Sequence, residues 1–251
     1  MTGVRALRWL TLTRHGESTG NLAWREAEHT GAEDAGIPER DADVPLSDLG
    51  RAQAEALGRH LAGLPADERP TVIVSSPYLR ALDTARIALA QTSWAAPGGP
   101  PLRVDERLRD REQGVLQGLT ARGVRRRFPA EFDRARRLGK FYHRPPGGES
   151  WADLALRLRS FYRDLQADAP GGRALVVTHD AIVVVTRYLV EELSEQEIME
   201  IEKEPIGNCS LTRWHGDGGP LRAVAYNDST HLTALGMPAA TDPADLGPAD
   251  L

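Results

Sequence analysis

The feature that most constrains the fold is a continuously apolar run at residues 174–178, Ala-Leu-Val-Val-Thr, which is preceded by two glycines and followed by His179. A short apolar run between turn signals is typical of a strand buried on both faces, as at the centre of a parallel sheet. Parallel strands are joined by crossover segments that are usually helices, which then cover both faces of the sheet. The run therefore predicts an α/β protein.

Other β-prone runs alternate with helical patterns along the chain. The predicted strands lie at residues 9–13, 71–74, 102–104, 174–178, 210–214 and 222–226. Predicted helices begin after the N-cap Ser47, at Pro77 and near Ala181, and others cover residues 119–142 and 150–165. Residues 21–43 are polar and aperiodic, which predicts a long loop or a partly helical insertion. This alternation predicts a three-layer sandwich with a largely parallel central sheet flanked by helices.

The length of 251 residues is consistent with one or two domains, and α/β folds of this size often form one. We expect a single catalytic domain over residues 1–235. An arginine-rich helical lid or cap is expected at about 119–145. Residues 236–251 are rich in Pro, Ala and Asp, which predicts a disordered tail.

Charge is unevenly distributed along the chain. The net charge is −5, yet residues 103–144 contain thirteen basic and six acidic side chains. An acidic protein overall is unlike a nucleic-acid-binding protein, so we expect no nucleic-acid partner. The local positive excess instead predicts an anionic ligand that is handled at one place.

Several classes of protein are excluded by residues that are absent. The single cysteine, Cys209, rules out an internal disulfide and a cysteine-based zinc cluster. The histidines lack metal-ligand spacing, so we expect no metal and no cofactor. No apolar run approaches the 18 residues typical of a transmembrane helix, and residues 1–10 lack a secretory signal pattern. We therefore expect a cytoplasmic protein without a membrane partner.

Three polar residues follow predicted strands directly, namely His15, Ser76 and His179. In open α/β sheets, ligands bind beyond the carboxyl ends of the strands. Arg14 precedes the first histidine and offers a planar fork that matches phosphate oxygens, while the glycine after it permits close approach of backbone to ligand. The residues at these strand ends predict a phosphate-binding site.

The sequences around these strand ends resemble, in order, the motifs of the histidine phosphatase superfamily, the group that contains the cofactor-dependent phosphoglycerate mutases. The matching segments are LTRHGES at 12–18, DVPLSDLGRAQA at 43–54, SSPYLRALDTA at 75–85, LRDREQGVLQG at 108–118, GES at 148–150 and LVVTH at 175–179. The resemblance covers roughly residues 8–232. It implies a phosphoglycerate mutase-like fold.

The resemblance also implies roles for individual residues. His15 would be the nucleophile that forms a phosphohistidine, and covalent catalysis of this kind divides one hard step into two. Arg14, Arg80 and His179 would hold the phosphoryl oxygens, since phosphoryl transfer depends mainly on positioning and charge neutralisation. Ser18 and Asn21 would add hydrogen bonds to the phosphate.

The sequence departs from the family pattern at the general acid. The family places a glutamate four residues before the glycine of the acid segment, where this chain has Asp110, while Glu112 lies two residues before Gly114. Aspartate is shorter by one methylene, which matters at hydrogen-bond distances. Asp110 is favoured as the acid, and Glu112 stays open as the alternative.

A second departure is Asp180, where the family usually has a glycine after the second histidine. If only its backbone N–H faces the phosphate, the change is mild. If its carboxylate points inward, it repels phosphate and weakens binding.

The favoured function is a metal-independent phosphomonoesterase that acts through phosphohistidine on a small phosphorylated metabolite. The alternatives are a phosphoglycerate-mutase-type phosphotransferase, and a weakly active relative that binds phosphorylated ligands. The chain lacks an arginine-tyrosine stretch like the one with which the mutases bind the substrate carboxylate, which favours the phosphatase. Monomer and homodimer stay equally open.

Overall fold

The computed structural model describes residues 7–95 and 98–239 and contains a six-stranded sheet. The strands are β1 (Trp9–Arg14), β2 (Val72–Ser75), β3 (Leu102–Val104), β4 (Arg173–Thr178), β5 (Leu211–His215) and β6 (Arg222–Asp228). They lie in the order β3-β2-β4-β1-β5-β6. Strands β1 to β4 are parallel to one another, whereas β5 is antiparallel to both of its neighbours, β1 and β6. The predicted continuous apolar strand is confirmed as a central strand, because β4 pairs with both β1 and β2.

Helices cover both faces of this sheet. They are α1 (Thr19–Thr30), α2 (Asp48–Ala62), α3 (Leu79–Ala90), α4 (Ala121–Arg127), α5 (Pro129–Leu138), α6 (Trp151–Asp168), α7 (Asp180–Val190), α8 (Glu195–Ile201) and α9 (Thr230–Thr233). One apolar core joins the sheet to α6, α7 and α8, and a second joins it to α2, α3 and α9. The sandwich of three layers is therefore confirmed. Within the described residues, no helix is long and apolar enough to cross a membrane.

The structure differs from the sequence-based expectation at several helices. The region 21–43 is partly helical, which was one of the two alternatives: it begins inside α1, whose N-cap Ser18 forms a capping box with Asn21, and its second half is irregular. Helix α3 begins at Leu79, so Pro77 lies before the helix rather than in its first turn. Ser47 caps α2 as predicted, accepting a hydrogen bond from the Gly50 N–H.

The predicted lid segment and tail also take a more definite form. Residues 119–142 form two helices instead of one, because the chain breaks at Phe128 before Pro129 begins α5. The expected tail starts later than residue 236. Met237 packs against the core under α2 and α3, and the Pro238 carbonyl accepts a hydrogen bond of 2.8 Å from Gln53 Nε2. Residues 240–251 and 1–6 lie outside the described residues.

Strand register brings the predicted site residues to one edge of the sheet. Arg14 at the end of β1 pairs with Thr178 at the end of β4, and Ser75 at the end of β2 pairs with Val177. The residue that follows is His15 after β1, His179 after β4 and Ser76 after β2. The two histidine rings consequently lie 5.2 Å apart between centroids.

Candidate active site

His15 is held in one tautomer by its own loop. Its Nδ1 lies 2.7 Å from the Gly16 carbonyl oxygen, which only accepts hydrogen bonds, so Nδ1 carries the proton. Nε2 then has the lone pair and accepts a hydrogen bond of 3.2 Å from Arg80 Nε. Burial, followed by the charges of Arg80 and Arg14, lowers the pKa of His15 well below its usual value. The ring is therefore neutral and nucleophilic at neutral pH.

The loop after His15 is fixed by the motif at 43–54. A Cβ on Gly50 would come within 1.9 Å of the Glu17 carbonyl oxygen, so only glycine permits this close backbone approach. Ser47 Oγ donates to the Glu17 carboxylate at 2.7 Å, and Gln53 Oε1 accepts from the Glu17 N–H at 2.8 Å. Ser47, Gly50 and Gln53 of this motif therefore support the nucleophile loop from behind.

Arg80 connects the nucleophile to two carboxylates. It is 4% exposed, and besides His15 it donates to Asp110 Oδ2 at 3.0 Å and to Asp41 Oδ1 at 2.9 Å. Arg14 is also buried, and its Nη1 donates to the Ile206 carbonyl at 2.6 Å. Both guanidinium groups lie at the wall of the pocket that contains His15. The two predicted phosphate-binding arginines are thus brought together.

His179 lies behind the pocket wall and is 0% exposed. A hydrogen bond of 2.8 Å joins its Nε2 to Ser76 Oγ, and its Nδ1 lies 3.3 Å from Asp110 Oδ2. Burial, followed by the charges of Arg80 and Arg14, lowers the pKa of His179 well below its usual value. In this structure the ring contacts the candidate acid and does not line the pocket.

The structure separates the two candidate acids. Asp110 lines the pocket and contacts Arg80 and His179. Glu112 does not line it. The Glu112 side chain is 42% exposed, and its carboxylate accepts a hydrogen bond of 2.9 Å from the Tyr78 hydroxyl. Geometry therefore favours Asp110, in spite of its shorter side chain.

The acid segment is held by the GES motif. The Glu149 carboxylate accepts hydrogen bonds from Arg109 Nη2 at 2.7 Å, from Arg157 Nε at 2.9 Å and from the Glu112 N–H at 3.2 Å. Arg157 also donates to the Asp110 carbonyl at 3.1 Å. This network fixes the backbone that carries Asp110, a function that the motif resemblance did not assign.

Ser18 and Asn21 line the pocket, but they also cap α1. Ser18 Oγ accepts from the Asn21 N–H at 3.1 Å and donates to Asn21 Oδ1 at 3.0 Å. The Asn21 Oδ1 atom additionally accepts from the Ser18 N–H. Their oxygen atoms therefore serve the helix terminus in this structure.

Asp180 belongs to the pocket lining. Its carboxylate accepts a hydrogen bond of 2.7 Å from the Ala181 N–H in the first turn of α7. Burial raises the pKa of Asp180, and the charge of Arg14 opposes this while that of Asp110 adds to it.

Sequence reasoning missed several residues that share this pocket. The unassigned polar side chains in its lining are Asp41, Arg111, Gln113, Gln117 and Glu202, together with Lys140. Asp41 lies 39 residues before Arg80, and Lys140 lies 62 residues before its partner Glu202. Such long-range pairs leave no local pattern. Within the described residues, no group of three or more His, Cys, Asp or Glu is arranged to hold a metal ion.

Most of the basic segment lies elsewhere. Arg126 and Arg127 pair with Glu33, and the Arg125 guanidinium packs 4.6 Å from the centre of the Phe132 ring. None of these three arginines lines the pocket. From the basic side chains of 103–144, only Arg111 and Lys140 do.

Comparison with known proteins identifies the family. Residues 10–229 match the model of the histidine phosphatase superfamily, branch 1. The chain belongs to the histidine phosphatase superfamily. Its relatives in that superfamily include a 2,3-bisphosphoglycerate-dependent phosphoglycerate mutase 2 from Gloeobacter violaceus, 33% identical over 78% of this chain and 81% of that protein.

Phosphatases are also among these relatives. A glucosyl-3-phosphoglycerate phosphatase from Mycolicibacterium vanbaalenii is 30% identical over 88% of this chain and 92% of that protein. The solved native structure of a mycobacterial glucosyl-3-phosphoglycerate phosphatase superposes with a TM-score of 0.68 at 28% identity, covering 88% of this chain and 99% of that one. The expected phosphoglycerate mutase-like fold and an enzyme of the histidine phosphatase type are confirmed.

Proposed function

We propose that this protein is a metal-independent phosphomonoesterase that hydrolyses a small phosphorylated metabolite through a phosphohistidine at His15. One observation carries the proposal: the Gly16 carbonyl binds the Nδ1 proton, so the lone pair of Nε2 faces the buried Arg80 in the pocket. A neutral imidazole with that tautomer is ready to attack phosphorus.

In the first step, Nε2 of His15 forms a bond to phosphorus while the ester P–O bond breaks. Arg14 and Arg80 neutralise charge on the phosphoryl oxygens, which supplies most of what phosphoryl transfer requires. Asp110 in its protonated form gives its proton to the departing alkoxide. His179, with Nδ1 at 3.3 Å from Asp110 Oδ2, orients that carboxyl group.

In the second step, water attacks the phosphohistidine. Asp110, now ionised, takes a proton from the water as the P–O bond forms and the P–Nε2 bond breaks. Inorganic phosphate leaves, and both His15 and Asp110 return to their starting protonation states. One carboxyl group thus acts first as acid and then as base.

A phosphoglycerate-mutase-type phosphotransferase is the second candidate, favoured by the 33% identity with a phosphoglycerate mutase. The two functions use the same phosphoenzyme and differ in the acceptor, which is water or a second hydroxyl. Incubation with 3-phosphoglycerate and catalytic 2,3-bisphosphoglycerate tests it. Formation of 2-phosphoglycerate faster than inorganic phosphate would establish the mutase.

The phosphatase proposal is tested with a panel of phosphomonoesters, assayed for released phosphate in the presence of a chelator. The wild type is expected to turn over at least one ester at the same rate with and without chelator. His15→Ala is expected to lose activity by about 10³-fold or more, because the covalent route is removed. His29→Ala, at an exposed histidine on α1, is the matched control and keeps full activity.

Two results contradict the proposal. One is an absence of turnover on every ester with no phosphoenzyme formed, which favours the weakly active binding relative. The other is a His15→Ala variant as active as the wild type.

A further inference from the structure

The pocket that contains His15 and Arg80 is also lined by four charged side chains that the proposed chemistry does not use, namely Arg111, Lys140, Asp180 and Glu202. We propose that these four side chains form a charge-balanced wall, which selects a phosphomonoester whose alcohol part carries no negative charge. This inference rests on the proposed phosphomonoesterase function and names its class of substrate.

The basic side chains of this wall are already bound by the protein. Lys140 Nζ forms an ion pair with Glu202, and both side chains are 13% exposed. Arg111 Nε donates to the Glu149 carbonyl at 2.8 Å, and Arg111 is 9% exposed. Arg14 and Arg80 contact or flank His15, and no further basic side chain among the described residues lines the pocket. A second anionic group on the substrate would thus compete with Glu202 for Lys140 and with a backbone carbonyl for Arg111.

The acidic side chains of the wall oppose an anion directly. The charges of Lys140, Asp180 and Arg111 all act on Glu202, and the charge of Lys140 acts on Asp180, so the four groups are electrostatic neighbours. Burial raises the pKa of Glu202, while Lys140 opposes that shift. An anion brought beside this wall would be placed near two carboxyl groups, and like charges in close contact repel each other.

Apolar side chains also contribute to the lining. Trp24, Ile37 and Val44 contribute from the region after the nucleophile loop, and Trp151 and Val184 contribute from α6 and α7. Such surfaces bind the carbon skeleton of a ligand, while a few polar groups orient it. An uncharged alcohol with an apolar face fits this lining and the neutral wall together.

The test uses phosphonates, which bind like phosphomonoesters but are not hydrolysed. Phenylphosphonate and 4-carboxyphenylphosphonate differ by one carboxylate, and their inhibition constants are measured against hydrolysis of p-nitrophenyl phosphate. Phenylphosphonate is expected to bind at least about tenfold more tightly, a difference of about 1.4 kcal/mol.

A variant of the wall shows whether it is the cause. Glu202→Gln releases Lys140 from its ion pair, so the preference for phenylphosphonate is expected to shrink to about threefold or less. Glu200→Gln is the matched control, since Glu200 in the last turn of α8 pairs with Lys203 just beyond that helix and both side chains are 64% exposed. It leaves the preference unchanged.

The outcomes separate this inference from the function on which it rests. If p-nitrophenyl phosphate is hydrolysed but the carboxylated phosphonate binds as well or better, the substrate class is wrong and the phosphatase stands. A Glu202→Gln preference equal to that of the wild type also overturns the role of the wall. If the wild type hydrolyses no ester of the panel and forms no phosphoenzyme, the function and the inference fail together.

Discussion

Two groups of arginines in this protein differ in burial and in their position relative to His15. Arg14 and Arg80 are isolated in the sequence, yet both are buried at strand and helix ends around His15. Arg126 and Arg127 belong to the most basic stretch of the chain, yet they are exposed and pair with Glu33. Desolvated charges interact far more strongly than solvated ones, so the isolated arginines carry the chemistry. Local charge density thus marks a surface here, and position in the fold marks the site.

The largest expected effect comes from removing a buried arginine. Arg80→Gln is expected to lower kcat/KM by about 10³-fold, because the phosphoryl charge in the transition state loses its partner. Arg126→Gln, from the exposed group, is expected to change kcat/KM by less than about twofold. Steady-state kinetics on p-nitrophenyl phosphate measures both. Equal losses in the two variants would break the comparison.

The acid assignment comes next in size. Asp110→Asn is expected to lower kcat on an alkyl phosphate by about 10²-fold, since the departing alkoxide loses its proton donor. The loss on p-nitrophenyl phosphate is smaller, because nitrophenolate leaves without a proton. Glu112→Gln is expected to lose less than about fivefold on either ester. The reverse order of the two variants would make Glu112 the acid.

The buried side chain of His179 is also expected to make the free energy of unfolding depend on pH. His179 has a folded pKa well below the value of about 6.5 in the unfolded chain, so the unfolded state binds more protons as pH falls. This contribution to the free energy of unfolding is fully present above about pH 6.5 and is lost progressively below it. Thermal unfolding of the wild type and of His179→Gln is compared at pH 7.5 and pH 5.

The comparison of variants isolates the histidine from buried carboxyl groups. Burial raises the pKa values of Asp41 and Glu202, and these groups act in the opposite direction as pH falls. The gap in Tm between wild type and His179→Gln is expected to shrink by about 2 °C or more on going to pH 5. Arg126→Gln keeps the wild-type pH dependence. A gap that widens at pH 5 would contradict a neutral buried His179.

The smallest effects belong to the exposed arginines. Replacing Arg126 and Arg127 together by glutamine is expected to leave KM within about twofold, even for a bisphosphorylated substrate. Exposed ion pairs contribute about 0.2–1 kcal/mol each and are screened by salt, so the free energy of unfolding falls by about 1 kcal/mol or less. Kinetics and chemical denaturation measure the two quantities. A severalfold rise in KM would return this segment to the substrate site.

Much of the site was predictable because its residues follow strands. The continuous apolar run of β4 indicated where His179 lies, and the β-prone run of β1 placed His15 beside it. The ordered motifs then identified Arg80. These signals are local, and each depends on a short stretch of chain.

The remaining parts of the site depend on contacts that no local sequence pattern predicts. Asp41 reaches Arg80 from an irregular stretch, where no periodicity indicates which side chain faces inward. Asp110 and Glu112 lie between two short 3₁₀ turns, so spacing alone could not decide between them. Helix α1 was difficult to predict because its first turn contains Gly20 and Asn21, which are weak helix formers.

The most direct test of the account is to trap the phosphoenzyme. The wild type, mixed with a ³²P-labelled phosphomonoester and quenched in alkali, is expected to retain label that is stable to base and released by acid, as for a phosphohistidine. Peptide mapping should place this label on His15, and His15→Ala should retain none. Label on another residue, or turnover without any phosphoenzyme in a rapid quench, would contradict the central claim that Nε2 of His15 is the nucleophile.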